Sequence, residues 1–445
     1  MNKQVQWLMK ELDGWVGRGL ISQEQALQIR GLYPEAQPGL PWGTIIFSGI
    51  GAVITGLGVI LLLAYNWAAI PKMVKLGIVF GALLAFYVSG IRMFVQTDWR
   101  KQLGETLCLF GTMMFGAGIW LIAQIYHIDE HFPNGFLIWG VGALAMAWVM
   151  PSLAQGLLAT LLLSIWACAE AWGFHTAIHV GPLLILVAIG GLACRMRSAL
   201  LLYFVLPAFL ITLMANISVF HDTLMLRAVL NFSVLFVALG LLARRHQWFP
   251  NSAGALNFYG WFGFLFSLFV LTFPDSVKHL LERTAVSSGD TPQLLLMAYD
   301  WGPLLLVVTG WSVLAWPWRP GAPREKRPED CTFEFSLLPL TAIFCQVLTA
   351  TGIMEDKWSV AAIFNLCLLA LAATWMSRGC RTGALRPTIL GSLLLAALVW
   401  ARYLDLFESL FTRGLVFLIG GGIFIAEGVL FRSARRRAQQ TEVRK

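Results

Sequence analysis

Apolar residues in this chain come in long unbroken runs, not in strict alternation and not in the short amphipathic bursts of a soluble helix. Runs bounded by charge or by Pro and Gly fall at roughly 43–65, 76–95, 106–126, 135–150, 153–171, 181–194, 198–220, 228–243, 256–273, 294–316, 335–354, 358–377, 387–402 and 414–431. A hydrocarbon core of roughly 30 Å takes about 20 apolar residues per helix. Each run therefore predicts one crossing, and together they predict an all-α polytopic transmembrane bundle of about 14 helices. The run at 181–194 is short and would have to borrow flanking residues or thin the bilayer locally. The turn at Pro151 carries no charge, so the pair of runs beside it reads alternatively as a tight helical hairpin.

The first 41 residues break the pattern. Val5, Leu8, Met9, Leu12, Trp15 and Val16 recur at three and four spacing, as on one helix face, and Gly17 and Gly19 end that face. Ser22 with Gln25 reads as a capping box opening a second helix, with Ala26 and Ile29 on one side and a stop before Pro34. Residues 1–41 thus predict a cytoplasmic helical hairpin and a Pro-punctuated linker. It packs against the membrane domain, lies on the membrane interface, or docks a membrane or cytoplasmic protein partner through residues 1–35. Further on, 275–293 predicts a short surface helix and a Ser-Gly turn. Pro317, Pro320, Pro323 and Pro328 mark 317–333 as a charged linker. It divides the membrane domain into 42–316, with about ten helices, and 334–431, with about four, ahead of a basic tail at 432–445.

Composition agrees. Of 445 residues, 58% are apolar and 13% charged, about half the charge density of a soluble globular chain. The balance excludes disordered, collagen-like and disulfide-scaffold classes. The seven cysteines form no Cys-x-x-Cys pair and read as free thiols. The net charge of +8 is a topological signal. With the N-terminus inside, 24 of the 32 Lys and Arg residues fall on the cytoplasmic side, among them Arg432, Arg435, Arg436 and Arg437. Eight fall outside, Arg227 and Arg402 among them. Both termini are therefore expected in the cytoplasm. The basic residues are dispersed instead of gathered on one soluble face, so the expected partner is the lipid bilayer and no nucleic acid is implied. The first apolar run follows some 42 mostly polar residues and reads as a retained helix, with no cleavable signal peptide.

Gly56, Leu57, Gly58, Val59 and Ile60, followed by Asn66, Trp67, Ile70 and Pro71, resemble the signature of the bacterial membrane family named domain of unknown function 2157. Leu12, Trp15, Gly19, Ile21, Gln25, Ile29 and Tyr33 match it as well. The likeness covers roughly the first 150 residues. Arg402, Tyr403, Asp405, Leu406 and Phe407, with Arg413 and a Gly-rich helix, resemble a second family, domain of unknown function 4401. The resemblance implies a multi-pass protein of the bacterial inner membrane and carries over no activity and no catalytic residue.

Charged groups inside a bilayer are costly and mark routes for ions or protons. Glu170 and Glu427 lie within apolar runs about a turn from a boundary, each placed to snorkel, and Asp300 is a third polar intramembrane candidate. Asn216, Asn231, Gln346 and Asn365 read as interhelical hydrogen-bond glue. Six of seven histidines fall on the outer face. His127 and His131, like His175 and His179, are four apart, the spacing that puts two imidazoles on one helix face and suits a metal. His221, Asp129, Glu130 and Asp222 would complete a shell for Zn, Cu or a haem. Against this, Pro133 ends any helix soon after His131, and solvated, capping or pH-sensing histidines are the alternatives. No P-loop, nucleophile elbow or His-Glu-x-x-His helix is present, so no catalytic residue and no cofactor is assigned. Three functional classes follow: a non-enzymatic binding or scaffolding component of the envelope, a transporter or flippase of a small or lipid-linked substrate, and a metal or haem handler built on the outer histidines.

Overall fold

A computed structural model describes residues 8, 11–12, 14–32, 70–96, 99–127, 131–281, 293–315, 333–354, 356–405, 418–419, 421–423 and 425–426. The chain divides into two compact units, 1–77 and 78–445.

In the first unit the helix over residues 14–17 closes with Gly19 at φ +67°, where Leu20 N–H reaches Trp15 O at 3.0 Å and Gly19 N–H reaches Val16 O at 3.0 Å. This is a Schellman turn, and glycine takes the left-handed position because no Cβ opposes it. The next helix, α1 (Gln23–Leu32), opens with reciprocal bonds: Ser22 N–H to Gln25 Oε1 at 2.9 Å and Gln25 N–H to Ser22 Oγ at 3.2 Å. The capping box read from the sequence is therefore formed. Ala26 is buried, while Leu20 and Leu27 are 67% and 62% exposed.

From Lys72 onward the described chain is helical: α2 (Lys72–Phe94), α3 (Trp99–Tyr126), α4 (Pro133–Val149), α5 (Leu153–Gly173), α6 (Val180–Arg195), α7 (Ala199–Phe220), α8 (Asp222–Arg245), α9 (Ser252–Val270), α10 (Pro274–Leu281), α11 (Gln293–Ala315), α12 (Phe333–Thr351), α13 (Lys357–Thr382) and α14 (Leu385–Asp405). Among the described residues eight helices are long and apolar enough to cross a membrane, and three apolar helices are shorter. Every predicted run from 76–95 to 387–402 coincides with one helix, and the short amphipathic α10 is the surface helix expected after 274. The runs at 43–65 and 414–431, the 317–333 linker and the basic tail lie largely or wholly outside the described residues.

Two apolar clusters fill the second unit. One joins α5, α6 and α7 through Leu163, Ile185, Leu192, Leu206 and Phe209. The other joins α8, α9, α11, α12 and α13 through Val237, Phe264, Val307, Leu338 and Phe364. Lipid is as apolar as leucine, so such cores are held by close packing and polar bonds, not by expulsion from water. Gly260 shows how close: a Cβ there would stand 2.7 Å from Val237 N and 2.9 Å from Ser233 O, so α9 touches the backbone of α8. Gly391 does the same for α14 on α13, with Ala372 O at 2.8 Å.

Candidate functional site

The ionisable side chains that pair inside the bundle lie toward the ends where α4, α8 and α11 begin and α5 and α12 finish. Contacts between these ends, set out below, place them together.

The last turn of α5 is a π-turn over Ala169–Gly173, a widening frequent at functional positions. It holds Glu170, which is 4% exposed. The carboxylate is met by His131 from the segment before α4, with Nε2 to Oε2 at 2.6 Å. Phe174 packs on the imidazole with ring centroids 4.0 Å apart. The expectation that Glu170 snorkels to the interface is thus corrected: it is buried and tied, because the π-turn and the α3–α4 connection bring a base to it.

Arg227 forms the second centre. The sequence placed it in an outer loop, but α8 starts at Asp222, which puts Arg227 inside the helix and only 4% exposed. Its Nη1 donates to Thr349 Oγ1 at 3.0 Å and lies 2.7 Å from Asp300 Oδ1. The second contact is an ion pair that engages Asp300 Oδ1. Charge neutralisation explains how Arg227 tolerates the site: burying a charge is costly unless a partner compensates it.

Between the two centres His179 Nδ1 is 3.0 Å from Tyr299 Oη, one residue before Asp300. Burial holds the His179 imidazole below its ordinary value. On the α13 side Asn365 Nδ2 and Arg402 Nη2 both donate to Thr272 O at 3.0 Å, closing the end of α9. Asp356 caps α13 through Ser359 N–H at 2.9 Å, and the bonds from Ser359 and Trp358 hold its carboxyl below the usual range. The Lys357 bond does the same for the exposed Asp275.

The histidines do not pair at helical spacing. His127 (φ +51°) terminates α3 and His131 precedes α4, whose first residue is Pro133, so the two share no helix face. His175 (φ +53°) stands in the connection after the π-turn, and His179 stands at the N-cap of α6. His221 bonds Thr223 Oγ1 at 2.8 Å. Among the described residues no group of three His, Cys, Asp or Glu is placed to hold a metal. Asp129, Glu130 and Glu427 lie outside those residues. Of the four amides read as glue, only Asn365 bridges helices. Asn216 Nδ2 bonds Thr212 O of its own helix, while Asn231 Oδ1 and Gln346 Nε2 are buried without partners. The free thiols stand as expected for the six described cysteines.

Arg227, Thr349 and Tyr299 were missed as site residues. The available signal was Asp300: a lone acid inside an apolar run implies a base on a neighbouring helix, and Arg227, in the second turn of α8, is that base.

Residues 13–156 match the family model described as Predicted membrane protein (DUF2157). That is the similarity this chain shows. The match covers the N-terminal third, contains His127 and His131, and stops short of Glu170, Arg227 and Asp300. The likeness of the C-terminal segment to domain of unknown function 4401 is not shown. No curated protein and no solved structure matches the chain. With its succession of apolar helices, the chain is a membrane-embedded, all-α polytopic protein.

Proposed function

We propose that this is a bacterial inner-membrane protein with both termini in the cytoplasm, acting as a non-enzymatic binding or scaffolding component of the envelope. The observation that carries this reading is the N-terminal pair of helices. A Schellman turn and a formed capping box fix the connection between them, yet Leu20 and Leu27 point outward. Exposed apolar side chains on a locally ordered segment are what a docking helix presents. Deleting residues 1–35 is expected to leave membrane insertion intact and to remove co-purifying partners from native membranes. An unchanged partner list overturns the reading. Tag accessibility at each terminus tests the orientation, and a periplasmic tail refutes it.

A second reading, transport of a small or lipid-linked substrate, is favoured by Glu170 with His131 and Asp300 with Arg227. Ionisable groups meeting inside an apolar bundle recur along substrate and proton routes. Proteoliposome flux that is abolished by Glu170→Gln and by Asp300→Asn would support it.

A further inference from the structure

Where α6 and α8 finish and α7 and α9 begin, two short connections lie side by side at one end of the bundle. Tyr259 Oη of α9 donates to Tyr203 O of α7 at 2.8 Å, and a Cβ on Gly254, in the first turn of α9, would stand 3.3 Å from Tyr203 Oη. The connections carry Arg197, Arg244 and Arg245, all exposed. No carboxylate occurs from Cys194 to Leu200 or from Ala243 to Ser252. Among the described residues no hydrogen bond or ion pair engages these three guanidiniums.

The backbone that presents them is fixed. Ser198 N–H reaches Ala193 O at 3.0 Å and Trp248 N–H reaches Ala243 O at 3.1 Å, so α6 and α8 each close in a Schellman turn. The left-handed residue of the first turn is Arg197, at φ +50°. Membrane topology accounts for basic residues at one end of a bundle. It does not account for an arginine in backbone that favours glycine, and residues held this way cluster at ligand clamps.

An apolar stripe leads inward from the arginines. Gly254, Phe258, Phe262 and Phe266 are exposed at four-residue spacing along α9. The Phe258 and Phe262 rings lie within 10° of parallel at 6.3 Å, and Tyr203 packs on Phe258 with centroids 6.2 Å apart. The stripe is about 18 Å long at about 1.5 Å per residue, close to the depth of about 15 Å of one leaflet in a roughly 30 Å core. At its head the half-buried Tyr203 has no hydrogen-bond partner for its hydroxyl among the described residues.

We propose that this seam between α7 and α9 is a binding site for one anionic phospholipid. The phosphodiester meets Arg197, Arg244 and Arg245, since guanidinium edges match phosphate oxygens. The Tyr203 hydroxyl donates to a phosphate or ester oxygen beside Gly254, and an acyl chain lies along Phe258, Phe262 and Phe266. Three unpaired cations favour a headgroup of net negative charge over a zwitterionic one. Only a molecule with an acyl chain uses both the basic rim and the aromatic stripe.

The site is independent of the scaffolding reading, which rests on residues 1–35, and of the side of the membrane this end faces. Full-length protein in a neutral maltoside detergent is titrated with phosphatidylglycerol or phosphatidylcholine, with glycerol 1-phosphate as competitor, and bound lipid is counted by native mass spectrometry. One phosphatidylglycerol per chain is expected at concentrations where phosphatidylcholine is not retained, with no competition from glycerol 1-phosphate. Arg197→Gly removes a charge and installs the residue that the backbone favours, so it should fold at least as well as the parent. It should still weaken phosphatidylglycerol binding about fivefold, as should Tyr203→Phe, and Arg244→Gln with Arg245→Gln about thirtyfold. Arg378→Gln with Arg381→Gln, at the end of α13 on the same side of the bundle, removes as much charge as the second pair and should leave binding unchanged. Equal retention of phosphatidylcholine, competition by glycerol 1-phosphate, full binding by Arg197→Gly, or an equal loss in the α13 variant overturns the proposal.

Discussion

Glu170 and His131 lie on opposite sides of α4, 39 residues apart in sequence, yet their side chains meet at 2.6 Å at the end of the bundle. Neither residue is unusual alone. Together they place a carboxylate and an imidazole in a partly buried contact that the widened turn of α5 makes reachable. Removing His131 leaves the buried Glu170 without its partner, and His131→Ala is expected to lower stability by about 1–3 kcal/mol, read as a fall in the thermal midpoint in detergent. Glu170→Ala should cost less, because the His131 side chain that remains is 34% exposed and can turn to water. Equal losses, or none, would contradict the contact.

The Arg227–Asp300 contact makes a sharper prediction. Asp300→Leu alone strands a buried guanidinium, and breaking a buried pair costs about 3–5 kcal/mol. Arg227→Met combined with Asp300→Leu removes both charges and keeps the volume, so most of that loss should return. A double-mutant cycle by thermal unfolding distinguishes this from simple loss of packing, in which the two effects would add.

Stability should fall on the acid side through His179. Burial depresses its folded-state value below the unfolded 6.5, so the unfolded chain binds the proton first. The contribution is complete above about 6.5 and declines as pH drops from there to the folded value, below which it is constant. His179→Phe should flatten the pH dependence of the thermal midpoint over that window relative to the parent. A variant curve that merely shifts in parallel would assign the acid response to other groups.

Close helix contact at Gly260 is directly testable. A single methyl there meets the amide nitrogen of Val237 at 2.7 Å and Ser233 O at 2.9 Å. Both are backbone atoms that cannot rotate away. Gly260→Ala should therefore destabilise by about 1–3 kcal/mol, the cost of overpacking, although alanine is the better helix former. An unchanged thermal midpoint would show that α8 and α9 stand further apart.

Helix positions were legible because the bilayer imposes a length on every apolar run, and lipid leaves helices or closed barrels as the spanning structures. The local turn chemistry of Gly19, Ser22 and Gln25 was legible for a related reason: these bonds join residues within a few positions. The boundary of α8 was misjudged where Arg227 was taken to end the apolar run, since hydropathy counts a charge as an interruption and cannot register a partner on another helix. Histidine spacing misled in the same way. His127 and His131 are four apart, but Pro133 and the left-handed backbone at His127 break the helix that the spacing presumes.

By itself, the sequence determined that the chain lives in a membrane, where most helices start and stop, and which residues are chemically conspicuous there. Those properties follow from composition and from interactions over a few residues. Which conspicuous residues meet was decided only by the tertiary structure, which joins Glu170 to His131 and Arg227 to Asp300 and leaves Asn231 and Gln346 open. Inside an apolar medium a polar group must find its counterpart across helices, and that distance is set by packing at glycines such as Gly260 and Gly391, which no pattern along the chain encodes.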